Sequence, residues 1–132
     1  MNKLQSLIES GLVDRGDGTI FDTRTNLLWQ QGFSDESMTW QDAKKYCKHL
    51  ILARYDDWRL PTKEELKSLV NKKYKPAIDP IFKCNPDWYW SSSSDVDYPS
   101  GAWSVGFCAG GVSNDGKYNG SFVRAVRKTL NE

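Results

Sequence analysis

Apolar residues change their spacing along the chain, and each change predicts an element. Leu4, Leu7, Ile8 and Leu12 fall close to helical spacing, which predicts a short N-terminal helix or ordered arm within residues 1–16. Asp14-Arg15-Gly16-Asp17-Gly18 then reads as a turn cluster ahead of two strand-like runs, Thr19-Ile20-Phe21-Asp22 and Leu27-Leu28-Trp29-Gln30. Thr23 to Asn26 would turn the chain between them, with Asn26 the residue best able to take a left-handed conformation. From Thr39 the period becomes helical: Trp40, Ala43, Cys47, Leu50 and Ile51 share one face, Thr39 is the N-cap and Asp42 lies in the first turn. Cys47 therefore faces inward, and Lys44, Lys45, Lys48 and His49 fall off the stripe as a solvated basic face.

The connector Asp57-Trp58-Arg59-Leu60-Pro61-Thr62 leads to a second helix. Thr62 and Glu65 have the spacing of a capping box, in which the hydroxyl accepts from the amide of Glu65 and the carboxylate accepts from the amide of Thr62. Pro61 biases Leu60 towards an extended conformation, so the helix should start at Lys63. Leu66, Leu69 and Val70 form its apolar stripe, and it is expected to end near Asn71. Trp58 and Leu60 should anchor the connector in the core, with Arg59 held by backbone carbonyls or a carboxylate. Lys67, Lys72, Lys73 and Lys75 gather around the helix end, where they complement its dipole and offer a candidate polyanion patch.

Beyond Pro80 the pattern turns to strands: Trp88 to Ser94, then Gly101 to Cys108, the latter with Trp103, Val105 and Phe107 on one face. Residues 95–101 read as a polar connector and 109–120 as a second loop rich in Gly and Asn, leading into a final strand from Ser121 to Arg127.

Composition narrows the picture. At 132 residues the chain is most simply one domain, placed at 17–130. Eighteen basic and 17 acidic residues leave a net charge of +1, so no global field recruits nucleic acid, and any polyanion site must be a local patch. No apolar run approaches the roughly 18 residues of a membrane span, so no membrane insertion is expected, and Met1 to Leu12 lacks the form of a signal peptide. Cys47, Cys84 and Cys108 have no metal-ligand spacing, and the Asp14–Gly18 stretch lacks the ligand pattern of a calcium loop, so no metal or cofactor is expected. His49, the single histidine, has no legible nucleophile to serve.

Several motifs stand in a fixed order: Thr19-Ile20-Phe21-Asp22, Thr25-Asn26-Leu27-Leu28-Trp29, Thr39-Trp40, Ala43, Tyr46-Cys47, Asp57-Trp58-Arg59-Leu60-Pro61-Thr62, Glu65-Leu66, Tyr89-Trp90-Ser91-Ser92, Trp103, Val105, Phe107, Gly110 and Val123-Arg124-Ala125-Val126-Arg127. That set resembles the bacterial C-type-lectin-like domains typified by the C-terminal domain of the Legionella collagen-like adhesin. The resemblance implies a compact α+β fold of the C-type-lectin-like kind, two helices packed on twisted antiparallel sheet, with a long irregular loop region presenting the ligand surface. Trp29, Trp40, Trp58, Arg59, Thr62, Glu65, Trp90, Trp103, Arg124 and Arg127 are then structural positions. Some family members carry a cysteine where this chain has Ala125, able to bond the helix cysteine, so Cys47 should be a free core thiol. Cys84 and Cys108 flank the predicted hairpin, and a bridge between them stays open in an oxidising compartment.

The function implied is a non-enzymatic binding and adhesion module at the cell surface or outside the cell. It would recognise carbohydrate, including sulfated polysaccharide, or a protein surface without calcium, since no Glu-Pro-Asn, Gln-Pro-Asp or Trp-Asn-Asp triplet is present. The candidate ligand residues are Asp95, Asp97, Tyr98, Asn114, Asp115, Lys117, Tyr118 and Asn119. Aromatic rings there would stack on sugar faces while amides and carboxylates take hydroxyls. Any oligomer is expected to form through a parent region outside this sequence. Two alternatives are a variable display protein of a diversity-generating retroelement and a formylglycine-generating oxidase. The second needs a close cysteine pair that Cys84 and Cys108 do not supply.

Overall fold

The structure is a computed structural model and describes residues 10–129. Most of the N-terminal arm predicted for 1–16 lies outside that range. Its end holds a strand: β1 (Leu12–Asp14) pairs antiparallel with β2 (Thr19–Asp22). β2 and β3 (Leu27–Gln30) form the predicted hairpin, with Asn26 at φ 61° accepting the left-handed turn. β7 (Val126–Lys128) pairs with the far side of β3, giving the sheet order β1-β2-β3-β7. A second antiparallel sheet holds β4 (Trp88–Ser94), β5 (Gly101–Gly106) and β6 (Gly111–Gly116). Among the described residues the architecture is α+β: two antiparallel sheets with two short helices, Trp40–His49 and Lys63–Lys67.

β3 runs between two apolar clusters, which is why all four of its residues are buried. Leu27 and Trp29 join Ile20, Leu66, Tyr89 and Val105 on one side, while Leu28 joins Trp40, Trp58, Trp90 and Val123 on the other. Arg124 is fully buried, and its two terminal nitrogens donate to the carbonyls of Gln30, Gln31, Gly32 and Lys83 at 2.6–3.0 Å. It therefore knots the exit of β3 to the loop before β4. Its Nε and the Trp29 Nε1 are buried without a partner.

α1 (Trp40–His49) starts as expected, with the Thr39 side chain accepting from the Asp42 amide. It ends one residue before Leu50, because Ala53 and Arg54, both at positive φ, turn the chain so that Leu52 pairs with Tyr55. Ile51 is thereby lifted off the apolar stripe and stands 76% exposed, against the sequence reading. α2 (Lys63–Lys67) carries the full capping box. It is shorter than predicted: past Ser68 the amides of Leu69 and Val70 bond three residues back, and Asn71 turns to the carbonyl of Ala77. Leu66 and Leu69 are nevertheless buried.

Three other expectations are corrected. The predicted loop 109–120 is largely β6, since Val112, Ser113 and Asn114 pair with Val105, Ser104 and Trp103 of the central strand. The final strand shrinks to β7, because Ser121 to Ala125 spend their backbone groups on Met38, Trp88, Ser34 and Gln30 instead of one neighbouring strand. Cys84 and Cys108 are both free: the Cys84 thiol lies against the carbonyl of Asn85 and the Tyr89 hydroxyl, and Cys108 is exposed after β5. Cys47 is a buried free thiol, as expected.

Candidate functional site

The eight residues predicted to meet ligand divide sharply. Asp95 is only 6% exposed; its carboxylate accepts from the Asn114 side-chain amide at 2.6 Å and from the Asp97 backbone at 3.0 Å. Asp115 Oδ1 accepts from the Asn119 side-chain amide at 2.7 Å and from the Gly116 amide. Lys117 points back into the fold, donating to Ser94 Oγ and the Pro99 carbonyl with its ammonium 4.4 Å from the Trp40 ring. These contacts hold β6 and the 95–101 turn together and take up both asparagine amides. Tyr98, Tyr118 and Asp97 are left facing solvent.

The lysines proposed as a polyanion patch are exposed around the end of α2, where Lys67 lies 3.8 Å from Glu64 and Lys73 stands over the Tyr74 ring. A concave feature whose lining includes none of these four lysines is an open cleft of about 830 Å3 between α1, the Asp56–Thr62 connector and Ser92 of β4. Its lining joins Trp40, Trp58 and Leu60 to Lys44, Lys48, Asp56, Asp57, Arg59, Thr62 and Ser92. The rings are fixed by their polar edges: Trp40 Nε1 donates to the Ser91 carbonyl and Trp58 Nε1 to that of Tyr55.

Charge in the cleft is partly spoken for. Arg59 forks onto both carboxylate oxygens of Glu65 at 2.8 and 2.9 Å, and Arg127 forks onto Asp57 at 2.6 and 3.0 Å. The Arg127 fork holds the Asp57 carboxyl below its usual range. Burial pushes the Glu65 carboxyl up, but the Arg59 fork and the Thr62 amide together outweigh it and leave the group depressed. Lys44 and Lys48, one helical turn apart on α1, have no carboxylate partner among the described residues, and the Lys44 ammonium sits 4.3 Å from the Trp40 ring. The cleft can therefore offer two ammonium groups and two hydroxyls beside an apolar floor.

Sequence reading placed Lys44 and Lys48 on a solvated face. An i, i+4 pair of lysines looks the same whether it borders water or a cleft, and only the return of the Trp58–Thr62 connector across α1 tells them apart. Of the positions read as structural, Trp58 is 4% exposed, as is Leu60, Arg59 binds a carboxylate and the Leu60 carbonyl, and Trp29, Trp90 and Arg124 are fully buried. Trp103 is half-buried under the Lys63 ammonium, 4.5 Å away. Among the described residues no group of His, Cys, Asp and Glu is arranged to hold a metal ion.

No curated protein matches the chain. The family model described as Lcl C-terminal domain matches residues 18–127, a span running from the turn before β2 to the middle of β7 that leaves out β1 and takes in the second sheet, both helices and the residues lining the cleft. The chain belongs to the Lcl C-terminal domain family.

Proposed function

We propose that this chain is a non-enzymatic adhesion module of C-type-lectin-like architecture that holds a sulfated polysaccharide, without calcium, in the cleft between α1 and the connector. Family membership supports the adhesive role. The closing of the first sheet by β7, which brings the two ends of the described chain together, supports the architecture. The observation that carries the ligand is the pair Lys44 and Lys48 beside the Trp58–Leu60 floor. Helical i, i+4 spacing sets their Cβ atoms about 5–6 Å apart, so two ammonium groups can meet sulfates on one chain while Thr62 and Ser92 take its hydroxyls. The distribution of exposed charge favours this edge over the 95–120 region, where the exposed charges are Asp97 and Asp115.

Heparin chromatography tests the reading. The wild-type chain should be retained at low salt, should elute as salt rises because exposed ion pairs are screened, and should behave identically in EDTA. Lys44→Glu with Lys48→Glu should elute in the flow-through, whereas neutralising Lys67, Lys72, Lys73 and Lys75 together should shift elution little. Unchanged retention of the double variant would move the site away from the cleft, and a wild-type chain that fails to bind at low salt would end the polysaccharide reading.

A further inference from the structure

The far end of the second sheet carries an aromatic surface that the cleft does not use. Gly101 of β5 and Gly116 of β6 are direct register partners, so their Cβ directions point to one face, about 5 Å apart. Each glycine carries a tyrosine ring in that direction: Tyr98 comes within 3.2 Å of where a Cβ on Gly101 would stand, and Tyr118 within 3.1 Å of the same point on Gly116. Both rings thus cover the same end of the sheet, each close over a glycine. They are 60% and 78% exposed.

The chemistry around the rings selects among ligands. A sugar stacked on them would need amides for its hydroxyls, yet the side-chain amides of Asn114 and Asn119 are committed to Asp95 and Asp115. The Lys117 ammonium is spent on Ser94 Oγ and the Pro99 carbonyl, with the Trp40 ring 4.4 Å away. The uncommitted charge next to the two tyrosines in sequence is negative: the Asp97 carboxylate, which has no partner among the described residues, and Oδ2 of Asp115. Ring faces and carboxylates together attract a cation. The same molecule already contains a filled version of this arrangement, in which the Arg127 guanidinium stacks 3.8 Å from the Tyr55 ring while forking onto Asp57.

We infer that the Tyr98–Tyr118 shelf takes an arginine side chain of a protein partner, the guanidinium stacking on the rings and pairing with Asp97 and Asp115. Arginine fits better than lysine because its planar group stacks and forks at once. The shelf is separate from the polysaccharide cleft, and none of its residues lines that cleft.

The test is an NMR titration of the Tyr98 and Tyr118 ring signals with the capped peptide Gly-Arg-Gly-Arg-Gly, its lysine and citrulline counterparts, and maltohexaose as a neutral saccharide. The arginine peptide should move both ring signals, the lysine peptide should move them less, and citrulline and maltohexaose should leave them in place. Asp97→Asn with Asp115→Asn should weaken arginine binding roughly tenfold, and Tyr98→Ala with Tyr118→Ala should abolish it. All four side chains are exposed, so circular dichroism should show the fold kept in each variant. Ring signals that ignore the arginine peptide, or that respond to maltohexaose equally in the Asn variant, would overturn the assignment.

Discussion

Arg124 shows how much one side chain can organise. A guanidinium in the interior normally has a carboxylate partner, but this one is met by four backbone carbonyls and by the rings of Phe82 and Tyr89 at 4.9 and 5.6 Å. Lysine would keep the charge but reach too few of those carbonyls. Arg124→Lys should therefore lose at least about 3 kcal/mol, given a cost of about 1–3 kcal/mol for each buried group left unsatisfied; urea denaturation measures it, and a loss within 1 kcal/mol would mean that the carbonyls find water. Cys47 gives a second prediction at this scale. Burial against Leu28 and Trp58 pushes its thiol up to about 12, so the reactive thiolate is scarce at pH 8. Iodoacetamide should label the exposed Cys108 in the native chain and reach Cys47 only in guanidinium chloride, as read by peptide mass spectrometry.

Among the elements, α2 ties local sequence to the functional surface. It has only five residues, too few to be stable alone. Its start is held by three groups at once: the Thr62 hydroxyl, the Glu65 carboxylate on the Thr62 amide, and the Arg59 fork onto the same carboxylate. Thr62→Ala should cost about 1 kcal/mol. Because the folded Glu65 pKa lies below its unfolded value, its contribution is fully present above about pH 4.3 and is lost as pH falls through the folded pKa. Stability curves of the wild type and Glu65→Gln should therefore converge on acidification from pH 6 to pH 3; parallel curves would show that the carboxylate charge is not what holds the cap. This capping box, the β2–β3 hairpin and α1 were legible in the sequence because each rests on short-range spacing. β6 was not. Gly-Val-Ser-Asn-Asp-Gly has no apolar alternation, since as an edge strand it buries little, and its pairing is dictated by β5. The cleft was hidden for a similar reason: its walls lie about 15 residues apart in sequence, at Lys44–Lys48 and Trp58–Thr62.

At the scale of the whole molecule, the segment from Ser121 to Thr129 adds backbone bonds between parts that also share the two apolar clusters. Ser121 pairs with Met38 ahead of α1, Phe122 bridges Trp88 and Trp90 of β4, and Val123 bonds Ser34. Ala125 exchanges bonds with Gln30, Val126 pairs with both Trp29 and Arg59, and Thr129 reaches the Asn26 carbonyl. One short stretch thus stitches the first sheet, the second sheet and the connector that walls the cleft, and it contributes Val123, Ala125 and Val126 to the two apolar clusters. If the sheets were independent units, a chain ending at Gly120 would keep the β4–β5–β6 sheet and lose only β7. The seam argues otherwise, because without it Trp90 and Tyr89 lose their covering side chains and the edge of β4 is bared. The truncated chain should therefore lose its near-ultraviolet tryptophan signal and amide protection in both sheets together, with heparin retention lost alongside. Persistent protection of β5 amides in that chain would show instead that the second sheet folds without the seam.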